Sequence, residues 1–312
     1  MIKLLAKMNF TKLTIRFLFI AFLFVSCTKE ETVIRTNNNP PKYSEISTIM
    51  VENYINRLFI DVLGREATDV ERIDILLKLR KGKLSPVCRD SIVKQLQFDT
   101  IYRIGDSSYR KAYTTRIYNI CKSRFLEGAA DMDIAQQSGN LGFAILLYQL
   151  DGDSVAMFSA INQKKYYDRI LKSNYWLSRN TISYNQLCEY MLNNGIYDLI
   201  NMGSFNFVNA AFDDIYGRKP SSDEFNRSFK IIEKNIPTFI FNQVISNKNE
   251  FCEGITTTSG FYEAEIRWWY FQYIRREINS SQLYPILSNY LKDHSIENMQ
   301  RTILISDEYA QF

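Results

Sequence analysis

Histidine occurs once, proline 6 times and glycine 12 times in 312 residues, and each scarcity excludes something. A lone histidine, His294 in the polar run Lys292-Asp293-His294-Ser295, argues against a histidine-built metal site or a Ser/His/Asp triad. Proline and glycine this rare are far short of the turn residues an all-β chain needs. Gly-x-Ser-x-Gly elbows, phosphate loops and dinucleotide fingerprints are missing. Besides Cys27, cysteines 88, 121, 188 and 252 stand singly, 33, 67 and 64 residues apart. In an exported protein these four could pair in three ways, but their scatter in apolar helical contexts favours free buried thiols, with no pair at metal-ligand spacing. The N-terminal apolar run, Phe17 to Val25, is nine residues, where a membrane-spanning helix needs about 20.

That run sits in an export-signal pattern: Lys3, Lys7, Lys12 and Arg16 without an acid, the apolar stretch, then Ser26 and Cys27. Leu23-Phe24-Val25-Ser26-Cys27 resembles a lipobox, which implies cleavage before Cys27 and acylation of that cysteine. Residues 1–26 are then a signal peptide and 27–44, rich in Asn and ending near Pro40-Pro41, a flexible tether. Thr28-Lys29-Glu30-Glu31 resembles the export signal of Bacteroidota lipoproteins destined for the outer face of the outer membrane. The chain's formal charge of +4 equals the four basic residues of the signal, so residues 27–312 are balanced. With no basic tail or arginine-rich face, nucleic-acid binding is not expected.

Residues 45–312 read as a single all-α domain, because apolar residues recur at three- and four-residue spacing throughout. Its strongest internal signal is a repeat at an offset of 153 residues. Asn56, Phe59, Asp61, Gly64, Arg65 and Glu71 recur as Asn209, Phe212, Asp214, Gly217, Arg218 and Glu224. Ile55, Leu58, Phe59 and Val62 share one helical face, as do Val208, Ala211, Phe212 and Ile215. Gly64 and Gly217 stand where a helix would end in a left-handed residue. Thr68-x-x-Glu71 and Ser221-x-x-Glu224 are capping boxes that start the next helix. Asp61 with Arg65, and Asp214 with Arg218, are four apart and can pair around the corner. A third, worn copy at an offset of 211 places Ile266, Trp269, Tyr270 and Tyr273 on the helix face. There Arg275-Arg276-Glu277 stands at the corner and Asn279 to Gln282 at the cap. Lacking the glycine, it is expected to leave its helix differently. The units span about 50–103, 205–251 and 261–312, and copies two and three close on Ser246 with Glu250-Phe251 and Ser306 with Glu308-Tyr309. Residues 104–203 match no copy but have no linker to set them apart.

The corner Phe59-Ile60-Asp61-Val62-Leu63-Gly64-Arg65, and Gly217-Arg218-Lys219-Pro220 after it, resemble the "LGR.P" corner of phycobilisome-linker-like repeats and of a planctomycete surface-protein helical domain. The resemblance covers about a third of the chain and implies a helical interaction module with no catalytic residues.

Remaining candidates for chemistry are few. Asp131-Met132-Asp133 and Asp151-Gly152-Asp153 read as helix caps and turns. Trp268-Trp269-Tyr270-Phe271 puts aromatics at consecutive helical positions, so some, such as Trp268 and Phe271, must point away from the first core surface. Tyr166, Tyr167, Tyr175 and Trp176 form a second concentration. The expectation is a non-enzymatic accessory or scaffold subunit of an outer-membrane complex. It would need no cofactor or metal, be held by the lipid on Cys27, and dock on a barrel or other lipoproteins. The alternative is a glycan-capturing lipoprotein using Trp268, Trp269, Phe271 and Trp176.

Overall fold

Helix starts in this chain are set by Ser, Thr, Asn and Asp, which supply the punctuation that scarce glycine and proline do not. The computed structural model describes residues 42–312, with fifteen α-helices and one two-stranded hairpin among them. Thirteen of the fifteen carry an N-cap side chain that accepts from a backbone N–H of the first turn. In order they are α1 (Thr48–Leu63), α2 (Asp69–Lys81), α3 (Pro86–Phe98), α4 (Tyr109–Phe125), α5 (Asp131–Asp151), α6 (Ser154–Ser178), α7 (Tyr184–Leu192) and α8 (Gly195–Ile200). Then come α9 (Ser204–Tyr216), α10 (Ser222–Lys234), β1 (Thr238–Ile240), β2 (Gln243–Ile245), α11 (Lys248–Ile255), α12 (Ser259–Ile274), α13 (Ser280–Asp293), α14 (Ile296–Leu304) and α15 (Asp307–Ala310). The chain is all-α, with β1 and β2 pairing antiparallel, Thr238 opposite Ile245. Their two-residue turn, Phe241-Asn242, takes positive φ at both positions. The Phe241 ring lies near Phe212 and Phe251, which offsets the strain of a bulky residue there.

All three corners are built alike. Gly64 ends α1 at φ 80°, Gly217 ends α9 at φ 63°, and Arg275 ends α12 at φ 64°. The third helix exit therefore matches the other two, contrary to expectation, because an arginine adopts the left-handed conformation that glycine takes elsewhere. The next residue in each copy is an arginine that donates to the carbonyl of its successor: Arg65 to Glu66, Arg218 to Lys219, Arg276 to Glu277. Each guanidinium also lies over the aromatic ring six residues back, at 5.2 Å for Phe59, 5.7 Å for Phe212 and 5.1 Å for Tyr270. And each reaches six residues forward, to Glu71, Glu224 or Gln282 at the next helix's cap.

This geometry corrects the expected Asp61–Arg65 and Asp214–Arg218 pairs. The left-handed residue swings each arginine off the helix, so four-residue spacing no longer brings the two together. Arg65 grips both Glu71 oxygens at 2.8 Å and also reaches Asp106, while Arg218 grips Glu224 at 2.9 and 2.7 Å. Asp61 accepts instead from the Tyr309 hydroxyl at 2.7 Å, and Asp214 from Tyr197 at 2.7 Å. Burial raises both aspartate carboxyls above the usual range.

The three helix pairs α1–α2, α9–α10 and α12–α13 enclose one continuous core with the intervening helices. First and third copies interlock through Arg57, which donates to the carbonyls of Tyr273 and Tyr309 and stacks on the Tyr309 ring at 4.2 Å. Segment 104–203 is fastened by a buried ion pair, Arg124 of α4 to Glu265 of α12 at 2.7 Å. Tyr184 of α7 donates to the same carboxylate at 2.6 Å. Glu265 occupies the register position of Tyr54 and Phe207, so a charge replaces an aromatic where the inserted helices meet the third copy. Of the expected tether, residues 42–44 alone lie among the described residues. Tyr43 starts a 3-10 turn and donates to Asp307 at 2.9 Å.

Candidate docking surface

Helices α5 and α6, 21 and 25 residues long, run back to back as a hairpin of roughly 30 Å, and α6 is the principal packing partner of α5. At the root, polar bonds fasten it. Asp131 accepts from Tyr118 and Lys122 of α4, each at 2.6 Å, and Ser138 donates to Asp168 at 2.5 Å. Beyond the root the bonding stops, and Ile134 and Ser138 are the only buried residues of α5. Leu141, Ile145 and Tyr148 continue the stripe that Ile134 and Ser138 begin, and face α6. On the opposite face Phe143 is 64% exposed, Leu146 59% and Leu150 82%, with Leu147 beside them. Ala156 and Ala160 turn α6 toward α5, while Tyr167 packs on Gly195 of α8, leaving Val155 (82%), Phe158 (60%) and Ile161 outward.

Both outer edges of the distal hairpin are thus apolar. No charged residue occurs from Ile134 to Leu150 or from Ser154 to Gln163; the charges sit at the tip, Asp151 and Asp153, and at the root. Large apolar side chains are thus left in water on two stripes, an exposure uncommon on proteins that work alone. No described helix is long and apolar enough to cross a membrane. The sequence reading missed this surface, although a charge-free stretch of 17 residues was its visible signal.

At the root lies a cavity of about 710 Å³, between α6, α7, α11 and α12. Tyr166, Tyr190 and Tyr262 supply rings, Asn185 and Asn193 amides, and Arg169 pairs with Glu189 at 3.3 Å. Burial pushes the Glu189 carboxyl up, against the pull of Arg169. Asn185 donates to the Thr256 carbonyl and to Tyr262, while its Oδ1 is buried without a partner. His294 is at the rim, where it ends α13 in the left-handed conformation and packs 4.9 Å from the Tyr262 ring.

The aromatic candidates are mostly accounted for by packing. Trp269 is fully buried, which removes it as a contact residue. Trp268 is half-buried, edge-on to Trp269 and under the Arg124 guanidinium at 5.0 Å. Phe271 is exposed, and with Trp268 lines a cavity of about 440 Å³ between Gly217 and Glu277, the second and third corners. Trp176 is half-buried, edge-on to Tyr190. Asp153 caps α6, and Asp151 closes α5. The thiols of Cys88, Cys121, Cys188 and Cys252 are free, and all but Cys88 are buried. Cys27 lies outside the described residues. The chain matches no protein-family model, no curated protein and no solved structure.

Proposed function

We propose that this chain is a non-enzymatic accessory or scaffold subunit of an outer-membrane complex of the secretion, uptake or protein-insertion kind, anchored by an acyl group on Cys27. The observation that carries the reading is the α5–α6 hairpin, whose distal half offers Phe143, Leu146, Leu147 and Leu150 to solvent with no charge among them. A protein that works alone in water gains nothing from such an edge, and one that docks needs it. The rigid core of interlocked corners supports the same reading, since it holds the hairpin's root while leaving its tip free to be covered. Purifying the protein from its own membranes in mild detergent tests this. A co-purifying barrel or lipoprotein, lost when Leu147 is changed to Asp, is the expected result; a lone species overturns the reading.

The cavity of about 710 Å³ favours a second reading, capture of a saccharide, because tyrosine rings and the unsatisfied Asn185 amide oxygen converge there. It shifts the glycan alternative from the tryptophans to Tyr166, Tyr190 and Tyr262. Calorimetric titration of cell-surface oligosaccharides decides it. Binding that Tyr190→Ala abolishes supports capture, and no heat from any of them ends it.

A further inference from the structure

We infer that the cavity at the hairpin's root takes an acidic sugar, a uronate, with its carboxylate on Arg169 of α6 and its hydroxyls on the facing wall. The inference deepens the saccharide reading and rests on it.

Arg169 supplies the argument for an acid. Its guanidinium lies between two rings that line the same cavity, 4.6 Å from the centroid of Tyr166 and 4.4 Å from that of Tyr190. The rings fix its position but are no strong acceptors for its five N–H donors. Nη2 stands 3.3 Å from a Glu189 oxygen, too misaligned to donate, and both Nε and Nη2 are buried without an acceptor. Arg110 and Arg124, in contrast, each donate to a carboxylate and to a backbone carbonyl. Glu189 does not fill that role at Arg169. Burial raises its carboxyl, and its Oε1 accepts from Asn193 at 3.3 Å. A guanidinium held in place with donors unused is what the two oxygens of a carboxylate fit.

The rest of the cavity is divided by chemistry. Lys165, four residues before Arg169 on α6, lines it too, so the cations stand on one helix face about 6 Å apart along the axis. Across from them Glu253 of α11, with Thr256 and Thr257 just beyond that helix, offers oxygens suited to hydroxyls. Asn185, 8% exposed, donates to the Thr256 carbonyl at 2.7 Å and to Tyr262 at 2.9 Å, while its Oδ1 has no partner. A sugar hydroxyl is the donor that oxygen lacks. A neutral sugar would leave the guanidinium unanswered. A phosphate dianion fits less well than a uronate, because Glu189 and Glu253 share the cavity with the two cations.

Calorimetric titration of the full chain in mild detergent tests the inference, using galacturonate, glucuronate and mannuronate tetramers, each against its neutral counterpart. At least one acidic tetramer should bind about tenfold or more tighter than its neutral partner. Arg169→Gln alone would strand Glu189, so it is combined with Glu189→Gln, and circular dichroism checks that the double variant folds. That variant should bring the acidic affinity down to the neutral one, and Lys165→Gln should lower it in part. Equal affinities in the native protein, or a preference that survives the double variant, overturn the inference and leave the saccharide reading standing. Heat from none of the six tetramers overturns the inference as well, and the saccharide reading then falls only if every other cell-surface oligosaccharide is silent too.

Discussion

Arg275 closes α12 in the same left-handed conformation, φ 64°, with which Gly217 closes α9 at φ 63°. A residue with a Cβ bears a cost there that glycine does not, of order 1 kcal/mol. Arg275→Gly should therefore raise the urea midpoint slightly, leaving its slope unchanged. A drop would mean that the Arg275 side chain holds the corner in its own right.

The two glycines should respond unequally to the opposite change. A Cβ at Gly64 would come within 3.2 Å of the Arg116 side chain, whereas at Gly217 it meets nothing within 4 Å. Gly64→Val should lower the melting temperature more than Gly217→Val. Both should lose stability, by roughly 1–2 kcal/mol or more, through backbone strain.

The corner carboxylates set an acid limit on stability. Burial alone would raise Glu71, but bonds from Arg65, the Thr68 N–H and Tyr109 hold it at about 2; Glu224 is held at about 2 chiefly by Arg218. Both lie below the value of 4.5 for a free glutamate. Their contribution is then complete above pH 4.5 and fades as pH falls toward 2. Glu71→Gln and Glu224→Gln should lower stability at neutral pH and flatten that acid decline. The third corner carries Gln282 at that position, but there, against burial, Arg276 and Tyr270 hold Glu308 below its ordinary value, so Glu308→Gln should also flatten the decline.

The Arg124–Glu265 pair joins the inserted helices to the third copy. Removing one partner strands a buried charge, at a cost of about 3–5 kcal/mol. Arg124→Ala should be far more damaging than breaking an exposed pair such as Arg267–Glu263, worth about 0–1 kcal/mol. Comparable midpoints in urea for the two variants would show that Glu265 is not stranded.

What was legible in the sequence was local. A left-handed glycine, a capping box four to seven residues on, and one apolar face are set by neighbouring residues, so the corners and the all-α class could be read directly. The partner of Arg65 could not, because four-residue spacing loses its meaning once the chain leaves the helix. Asp61 finds Tyr309 some 248 residues away, which no local pattern signals. Arg275 was misread because sequence shows the usual occupant of a conformation, and arginine is not that occupant. Trp269 and Trp268 look equivalent in the sequence; only the packing around α12 separates the buried ring from the half-exposed one. The hairpin surface was readable in principle, since apolar residues without charge on both helix edges cannot all be packed by one partner helix.

The most direct test of the account compares the native protein and Leu147→Asp after purification from their own membranes in mild detergent. Leu147 lies on the outward α5 edge, so the change leaves the core intact, and matching circular dichroism would confirm that. The native protein is expected to carry a stoichiometric outer-membrane partner and the variant to lose it. A native protein that emerges alone, or a partner retained undiminished by Leu147→Asp, would contradict it.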